Sequence, residues 1–285
     1  MVRKTAERGS VVEAQTQAAG SVSAIWRFPV KSMAGESLDR VEVGPLGLLG
    51  DRRFALLDVQ SGKIASAKNP ALWGKLLHLR ATQDGDAVSV SLGGSRYSTN
   101  DPALSAALSA ELGREVKVIE VPPAKAVIEQ VFSDAEAYPG HKIDHPLGQG
   151  APGTFFDFAA VHVIASSTLD FLRQELSANE ADALRFRANV VIDTPNAPPF
   201  VENSWTNKGL LVGGVVLGII TPAPRCVMTT LSHGESLPAA PSLLRALSKS
   251  NKLPIADLGQ FACAGSYALV KQPGTIARGE EVRVL

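Results

Sequence analysis

Two cysteines stand in these 285 residues, and one of them, Cys226, sits where a thiol could do chemistry. It lies in the run Thr221-Pro222-Ala223-Pro224-Arg225-Cys226-Val227-Met228-Thr229-Thr230, directly after the apolar stretch 215–220. Pro222 and Pro224 stiffen an irregular turn just past a strand end, where binding and catalytic groups tend to be mounted. Arg225 puts a cation beside the sulfur, which favours thiolate. A thiolate is both a soft metal ligand and a nucleophile. Four roles are therefore open to Cys226: metal ligand, nucleophile, persulfide carrier, or a small apolar residue packed in a core. Cys263 lies among small residues in Phe261-Ala262-Cys263-Ala264-Gly265 and reads as packing.

Three further clusters could grip an anion. Lys31-Ser32 follows a strand and offers an ammonium, a hydroxyl and turn amides. Asp51-Arg52-Arg53-Phe54 precedes another strand, and one of its arginines could fork an anion. Arg185-Phe186-Arg187-Ala188-Asn189 leads into an apolar strand, and alternation would set Arg185, Arg187 and Asn189 on one face. Each has an ordinary alternative: a solvated loop lysine, a surface ion pair, a basic sheet edge. His141 and His145 are spaced for a metal on a helix, but Gly140 and Pro146 flank them and indicate a polar loop.

The elements that must position these groups are mostly short strands. Residues 21–28, 38–43, 54–59, 76–81, 87–92 and 116–121 read as strands, which suggests a barrel or a strongly curved sheet. Asp101-Pro102 opens a helix over residues 103–112, with Gly113 as its stop. Residues 122–154 are rich in Pro, Gly and His and contain the seam between two halves. Residues 161–165 form a strand, and Ser166 or Ser167 caps a helix to about residue 176. A second helix at 180–184 leads to a strand at 189–193. Residues 210–220 read as a strand pair or as one long strand broken at Gly213-Gly214, and a helix near 242–250 precedes a final β region. Residues 1–20 read as a flexible tail.

The formal net charge is zero, so no overall field draws the chain to nucleic acid or to a membrane surface. No apolar run is long enough to span a bilayer. Two thiols fit a reduced, cytoplasmic protein better than a disulfide framework, and they are too few to hold an iron–sulfur cluster.

Taken together, these pieces resemble the MOSC family, named for the C-terminus of molybdenum cofactor sulfurase. Phe28-Pro29-Val30-Lys31-Ser32 and residues 47–54 look like the barrel that precedes a MOSC domain. Residues 186–191, Glu202-Asn203-Ser204-Trp205, Arg225-Cys226-Val227-Met228-Thr229-Thr230, Gly265-Ser266-Tyr267, residues 273–276 and Gly279-Glu280 resemble the MOSC domain itself, so the likeness runs over 21–285. It implies a mixed α+β fold: an N-terminal β-barrel-like domain at 21–125, then a MOSC β-barrel domain with peripheral helices at 126–285.

Within the family the nearest functional template is the amidoxime-reducing components, molybdenum enzymes that reduce N-hydroxylated compounds. That resemblance implies a molybdenum cofactor with Cys226 as the metal ligand. Lys31, Ser32 and Arg53 would hold the cofactor, with Arg187, Asn189 and Arg225 near its pterin or phosphate. Thr168, with Ser167 adjacent, would match a serine of the template. It also implies a small-molecule substrate and electrons from a separate iron–sulfur or flavin protein. Two other functions fit the same residues: a sulfur carrier using a Cys226 persulfide, and a cofactor-binding protein without turnover. The chain departs from the template at Ser232-His233-Gly234-Glu235, where an acidic turn is expected, and residues 122–154 have no counterpart.

Overall fold

The computed structural model describes residues 16–132, 140–148, 151–176, 181–234 and 236–285. Residues 1–15 of the expected tail, Glu180 at the start of the expected second helix, and Glu235 lie outside them.

The centre of the molecule is a closed barrel of seven strands. Around it run Val161–Ala165, Val190–Asp193, Gln17–Arg27, Glu281–Val284, Gly209–Val212, Val215–Pro224 and Gln260–Gln272, the last pairing back onto Val161–Ala165. Every neighbouring pair is antiparallel except Val161–Ala165 with Val190–Asp193. A parallel pair needs a crossover, and the helices Ser166–Glu175 and Ala183–Phe186 supply it. All five residues of Val161–Ala165 are buried, because helices cover its outer face. Val163 packs with Ile25, Val190, Leu210 and Leu217 in one cluster. Its neighbour Ile164 packs on the other face with Leu169, Leu172, Leu243 and Leu247 of the helices.

A second core gathers Val30, Met33, Phe54, Leu56, Trp73, Leu76, Val88, Val90, Leu104 and Leu108. Small sheets and the helix Pro102–Leu112 surround it. That helix starts as its sequence expects: Asp101 accepts a hydrogen bond from the Ala103 amide at 2.8 Å, and Gly113 ends it at φ 66°.

The two parts are stitched together by their ends. The first strand begins at Gln17, four residues inside the expected tail, and pairs with the last strand as Gln17 to Val284. Arg40–Gly44 pairs with Gly274–Ala277. Hydrogen bonding thus ties residues 17–44 to the C-terminal barrel.

Several local expectations differ from what forms. Gly74–His78 is a 3-10 turn, so the strand expected at 76–81 begins only at Arg80. Ala165, not a serine, holds the N-cap position of Ser166–Glu175, because the Ser166 hydroxyl is turned to Asp193 and the Thr194 amide. The strand expected from residue 189 starts at Val190, and Arg185 belongs to the short helix Ala183–Phe186 instead of an alternating face. Residues 122–154 contain an antiparallel hairpin, Val127–Val131 with Lys142–Pro146, where a loop is expected.

Candidate functional site

A cavity of about 580 Å³ opens between the two cores. Six cationic side chains line it, Lys31, Arg52, Lys68, Arg185, Arg187 and Arg225, against two carboxylates, Asp157 and Asp257. Cys226 also lines it, half-buried and in no disulfide.

The thiol is set by its backbone. The strand Val215–Pro224 delivers Cys226 to the start of the 3-10 turn Val227–Thr230. The amide and the hydroxyl of Thr229 both donate to the Cys226 carbonyl, at 3.0 and 2.9 Å. Arg185, 1% exposed, donates to the carbonyls of Thr229, Leu231 and Pro238 at 3.2, 2.6 and 2.6 Å. Its guanidinium thereby pins the turn that carries the sulfur. Arg225 is committed in the same way, donating to the Phe186 carbonyl at 2.9 Å and the Tyr267 hydroxyl at 2.8 Å.

The opposite side is a relay of buried charge. Lys31, 5% exposed, donates to the Phe155 carbonyl at 2.9 Å and pairs with Asp157. Lys68 lies 3.1 Å from the other oxygen of Asp157. Two ammonium groups thus share one carboxylate and leave a net positive charge. Burial, partly offset by Asp157, pulls the Lys31 pKa down to about 8. Burial also acts to lower that of Lys68, but Asp157, then Cys226 and Tyr267, outweigh it and hold Lys68 charged. For Asp157 burial is likewise overridden, by Lys31 and Lys68, and its carboxyl stays well below the usual carboxylate range.

Between these walls Arg52 and Arg187 lie over the Phe28 ring, 4.6 and 4.2 Å from its centroid. Arg52 pairs with the buried Asp51, and Arg187 donates to the Met33 carbonyl at 2.6 Å. The Arg187 Nη2 atom is buried and has no hydrogen-bond partner among the described residues. Burial and then Arg52 lower the Arg187 pKa, so the pocket is short of negative charge at this point. Ser32, Arg52 and Arg187 have φ of 64°, 49° and 55°. Non-glycine residues seldom adopt this left-handed region, and such strain tends to collect at working sites.

Of the residues singled out in the sequence, Cys226, Lys31, Ser32, Arg187, Asn189 and Arg225 line this cavity. Asn189 does so as a brace. Its amide nitrogen donates to the Trp26 carbonyl at 3.2 Å and Asp51 at 3.0 Å, and its oxygen accepts from the His162 amide at 3.1 Å. The Ser32 hydroxyl accepts from the Ala67 amide at 3.1 Å.

Arg53, Ser167 and Thr168 lie elsewhere. Arg53 points outward, donating to Glu120 at 2.7 Å and the Asp86 carbonyl at 2.9 Å, and Arg52 takes its place. The left-handed turn at Arg52 is the reason, since it reverses which of two adjacent arginines faces in. Ser167 donates to the Pro198 carbonyl at 3.1 Å beside a shallow surface depression. Thr168 is fully buried, donating to Glu202 at 2.8 Å and accepting from the Phe200 amide at 2.8 Å.

Lys68, Asp157 and Tyr267 join the site without having been singled out as site residues. No local pattern marks Lys68 and Asp157, which meet only through the fold. Tyr267 follows Gly265, whose φ is 76° and where a Cβ would meet His162 Nε2 at 2.1 Å. That position admits only glycine, and it lets the strand pass close enough for Tyr267 to reach Arg225.

A cationic pocket with a planar aromatic floor and a thiol can take a compact anion with a flat body and a soft metal. Comparison with known proteins gives the family. Residues 19–112 match the MOSC N-terminal beta barrel domain, and residues 151–283 match the MOSC domain. Mitochondrial amidoxime-reducing component 1 of Homo sapiens is 23% identical over 292 residues, 94% of this chain and 84% of that protein. The Mus musculus protein of the same name is 23% identical over 296 residues, 94% and 83% of the two chains. Among solved structures, the YuaD protein of Bacillus subtilis aligns with a TM-score of 0.45 and 12% identity over 95% of this chain and 97% of that one. The chain belongs to the MOSC family, with a MOSC N-terminal β-barrel domain ahead of its MOSC domain.

Proposed function

We propose that this protein binds a molybdenum–pterin cofactor in the cavity and reduces N-hydroxylated small molecules, using electrons from a separate redox protein. One observation carries the reading: both matched domains send cations into a single cavity that also holds the Cys226 thiol. The donor set fits such a cofactor. The unpartnered Arg187 Nη2 and the surplus of cations call for an anion, and the thiol suits a soft metal. The names of the mammalian relatives, amidoxime-reducing components, supply the reaction class.

Under this reading Lys31, Arg52 and Arg187 would hold the phosphate and pterin, and Cys226 would ligate the metal. When bound, the cofactor supplies the electron pair that cleaves the N–O bond, the oxygen leaving as water. The protein's own share is preorganisation. Arg185 and Thr229 fix the Cys226 turn before the cofactor arrives, and the Lys31–Asp157–Lys68 relay keeps positive charge in place at no cost in reorganisation. Among the described residues no helix is long and apolar enough to cross a membrane. We take the protein to work in the cytoplasm, where two thiols stay reduced.

The test is the molybdenum and pterin content of protein made in a cofactor-competent host, with turnover of an amidoxime by a chemical reductant. About one molybdenum and one pterin per chain, both lost in Cys226→Ala, is the expected result. Protein lacking both would overturn the reading. A sulfur carrier would instead show a Cys226-bound persulfide by mass spectrometry after incubation with a cysteine desulfurase.

A further inference from the structure

We infer that the hairpin Val127–Val131 with Lys142–Pro146 is the substrate-reading wall of this cavity, with His145 giving the substrate a hydrogen bond and Phe132 packing on its apolar body. The inference rests on the reading of the cavity as a site for N-hydroxylated compounds and names what selects among them.

The hairpin lies wholly within residues 113–150, between the two matched domains. Yet Ile128, Gln130, Phe132, Ile143, His145 and Pro146 all line the cavity. Its register explains all of them but Pro146, which stands opposite Val127 at the end of the ladder. Ile128 stands opposite His145 and Gln130 opposite Ile143, so two cross-strand pairs share one face. Glu129 stands opposite Asp144 on the other face, where both carboxylates pair with Lys63 at 3.4 and 2.7 Å. The strand period thus keeps formal charge off the cavity face. The cations and the thiol, by contrast, all come from the matched domains. A ligand spanning the space would set an anionic, metal-bearing part against the domain walls and an uncharged part against the hairpin.

The wall is also held in place. The Val131 amide donates to the Lys68 carbonyl at 2.9 Å, the Ile64 amide to Val127 at 2.9 Å, and the Gly148 amide to Phe156 at 2.8 Å. On it, the His145 ring sits 6.3 Å from the Phe132 ring, tilted by 59°. His145 Nε2 is buried and has no hydrogen-bond partner among the described residues. A buried polar atom left unmade is costly unless a ligand meets it. Burial, and then Lys68, favour the neutral ring, which suits an uncharged substrate.

Benzamidoxime and acetamidoxime share the reacting group and differ in their bodies, so the pair isolates the wall. Their dissociation constants would be measured by calorimetry on the holoprotein without an electron donor, then kcat/KM with a donor. Wild type is expected to bind benzamidoxime about tenfold or more tightly than acetamidoxime, as one desolvated polar or aromatic contact allows. Phe132→Ala should abolish that preference. His145→Phe should weaken both ligands about tenfold, and His145→Gln should restore binding to within about threefold. Equal binding of the two probes by wild type, failure to bind either, or variants that keep the wild-type constants would overturn the inference. Turnover with the variants unchanged sinks the wall and leaves the proposed reaction standing. Selective, His145-dependent binding without turnover does the reverse.

Discussion

Two buried polar clusters flank the barrel strand Val161–Ala165, and they are built on opposite terms. In the first, Glu202 is fully buried and accepts from the Thr168 hydroxyl at 2.8 Å and the Gly265 amide at 3.0 Å. Burial raises its pKa, and Thr168 and Gly265 partly compensate. This carboxyl and its donors satisfy one another inside the fold. In the second, the cavity, cations outnumber carboxylates, Arg187 keeps a buried nitrogen without a partner, and three non-glycine residues sit in left-handed backbone. A closed polar cluster holds the fold together, whereas one left short of partners is waiting for a ligand.

The sharpest way to break that contrast is to exchange the expected phenotypes. Cys226→Ala should lower molybdenum content and activity by roughly a hundredfold or more, as loss of a directly ligating group exceeds the loss from a supporting one. Because Cys226 is only half-buried, the same change should cost about 1 kcal/mol in urea unfolding. Thr168→Val should do the opposite. It strips one donor from a buried carboxyl, costs about 2 kcal/mol, and leaves cofactor content per folded chain unchanged. If Thr168→Val empties the protein of cofactor while leaving unfolding untouched, the two clusters are not different in kind.

How much of this contrast was legible in the sequence depended on whether local pattern carried it. Cys226 and Lys31 stand out because each sits in a turn just past a strand, and Arg187 because its neighbours could not all be core. The strand Val161–Ala165 and the helix Pro102–Leu112 were readable from an apolar run and from a cap-and-stop pair. Arg52 was not distinguishable from Arg53, since periodicity cannot foresee a left-handed residue at 52. Thr168 and Ser167 entered through resemblance alone, and position by position transfer cannot tell a residue that lines a pocket from one that packs behind it. Lys68 and Asp157 are far apart in the chain, so their pairing exists only in the fold. The cavity face of Val127–Val131 with Lys142–Pro146 depends on pairing register, which Pro- and Gly-rich flanks hide.

A smaller effect should separate stability from binding within the cavity itself. Lys31 has a pKa of about 8 when folded against 10.5 for the free side chain. Between those values the unfolded chain keeps a proton that the folded chain has lost, so stability rises with pH across this window. Below pH 8 both forms are protonated and burial of the charge is fully felt. Anion binding moves the other way, because the ammonium that would meet the anion disappears. Cofactor-free protein should therefore bind sulfate about tenfold more weakly at pH 9.5 than at pH 7, the lower end of the roughly 1.5–3 kcal/mol of one hydrogen bond to a charged group. Lys31→Met should flatten both dependences. A sulfate affinity that holds steady across the range would remove Lys31 from the anion site.

The smallest expected effect falls on Arg53, the arginine that the family resemblance favoured. Arg53 is a third exposed in its side chain, and its partner Glu120 is half exposed. Exposed pairs of this kind contribute about 0–1 kcal/mol, so Arg53→Ala should shift unfolding by less than about 0.5 kcal/mol and leave cofactor content as in wild type. Arg52→Ala, one position away, removes a guanidinium from the Phe28 ring and leaves the buried Asp51 without its cation. It should lose cofactor. The same substitution at adjacent positions holds composition and local charge constant, so any difference comes from which way the backbone turns at Arg52. Equal loss of cofactor from both variants would mean that the cavity draws on charge at a distance, with no need for a guanidinium inside it.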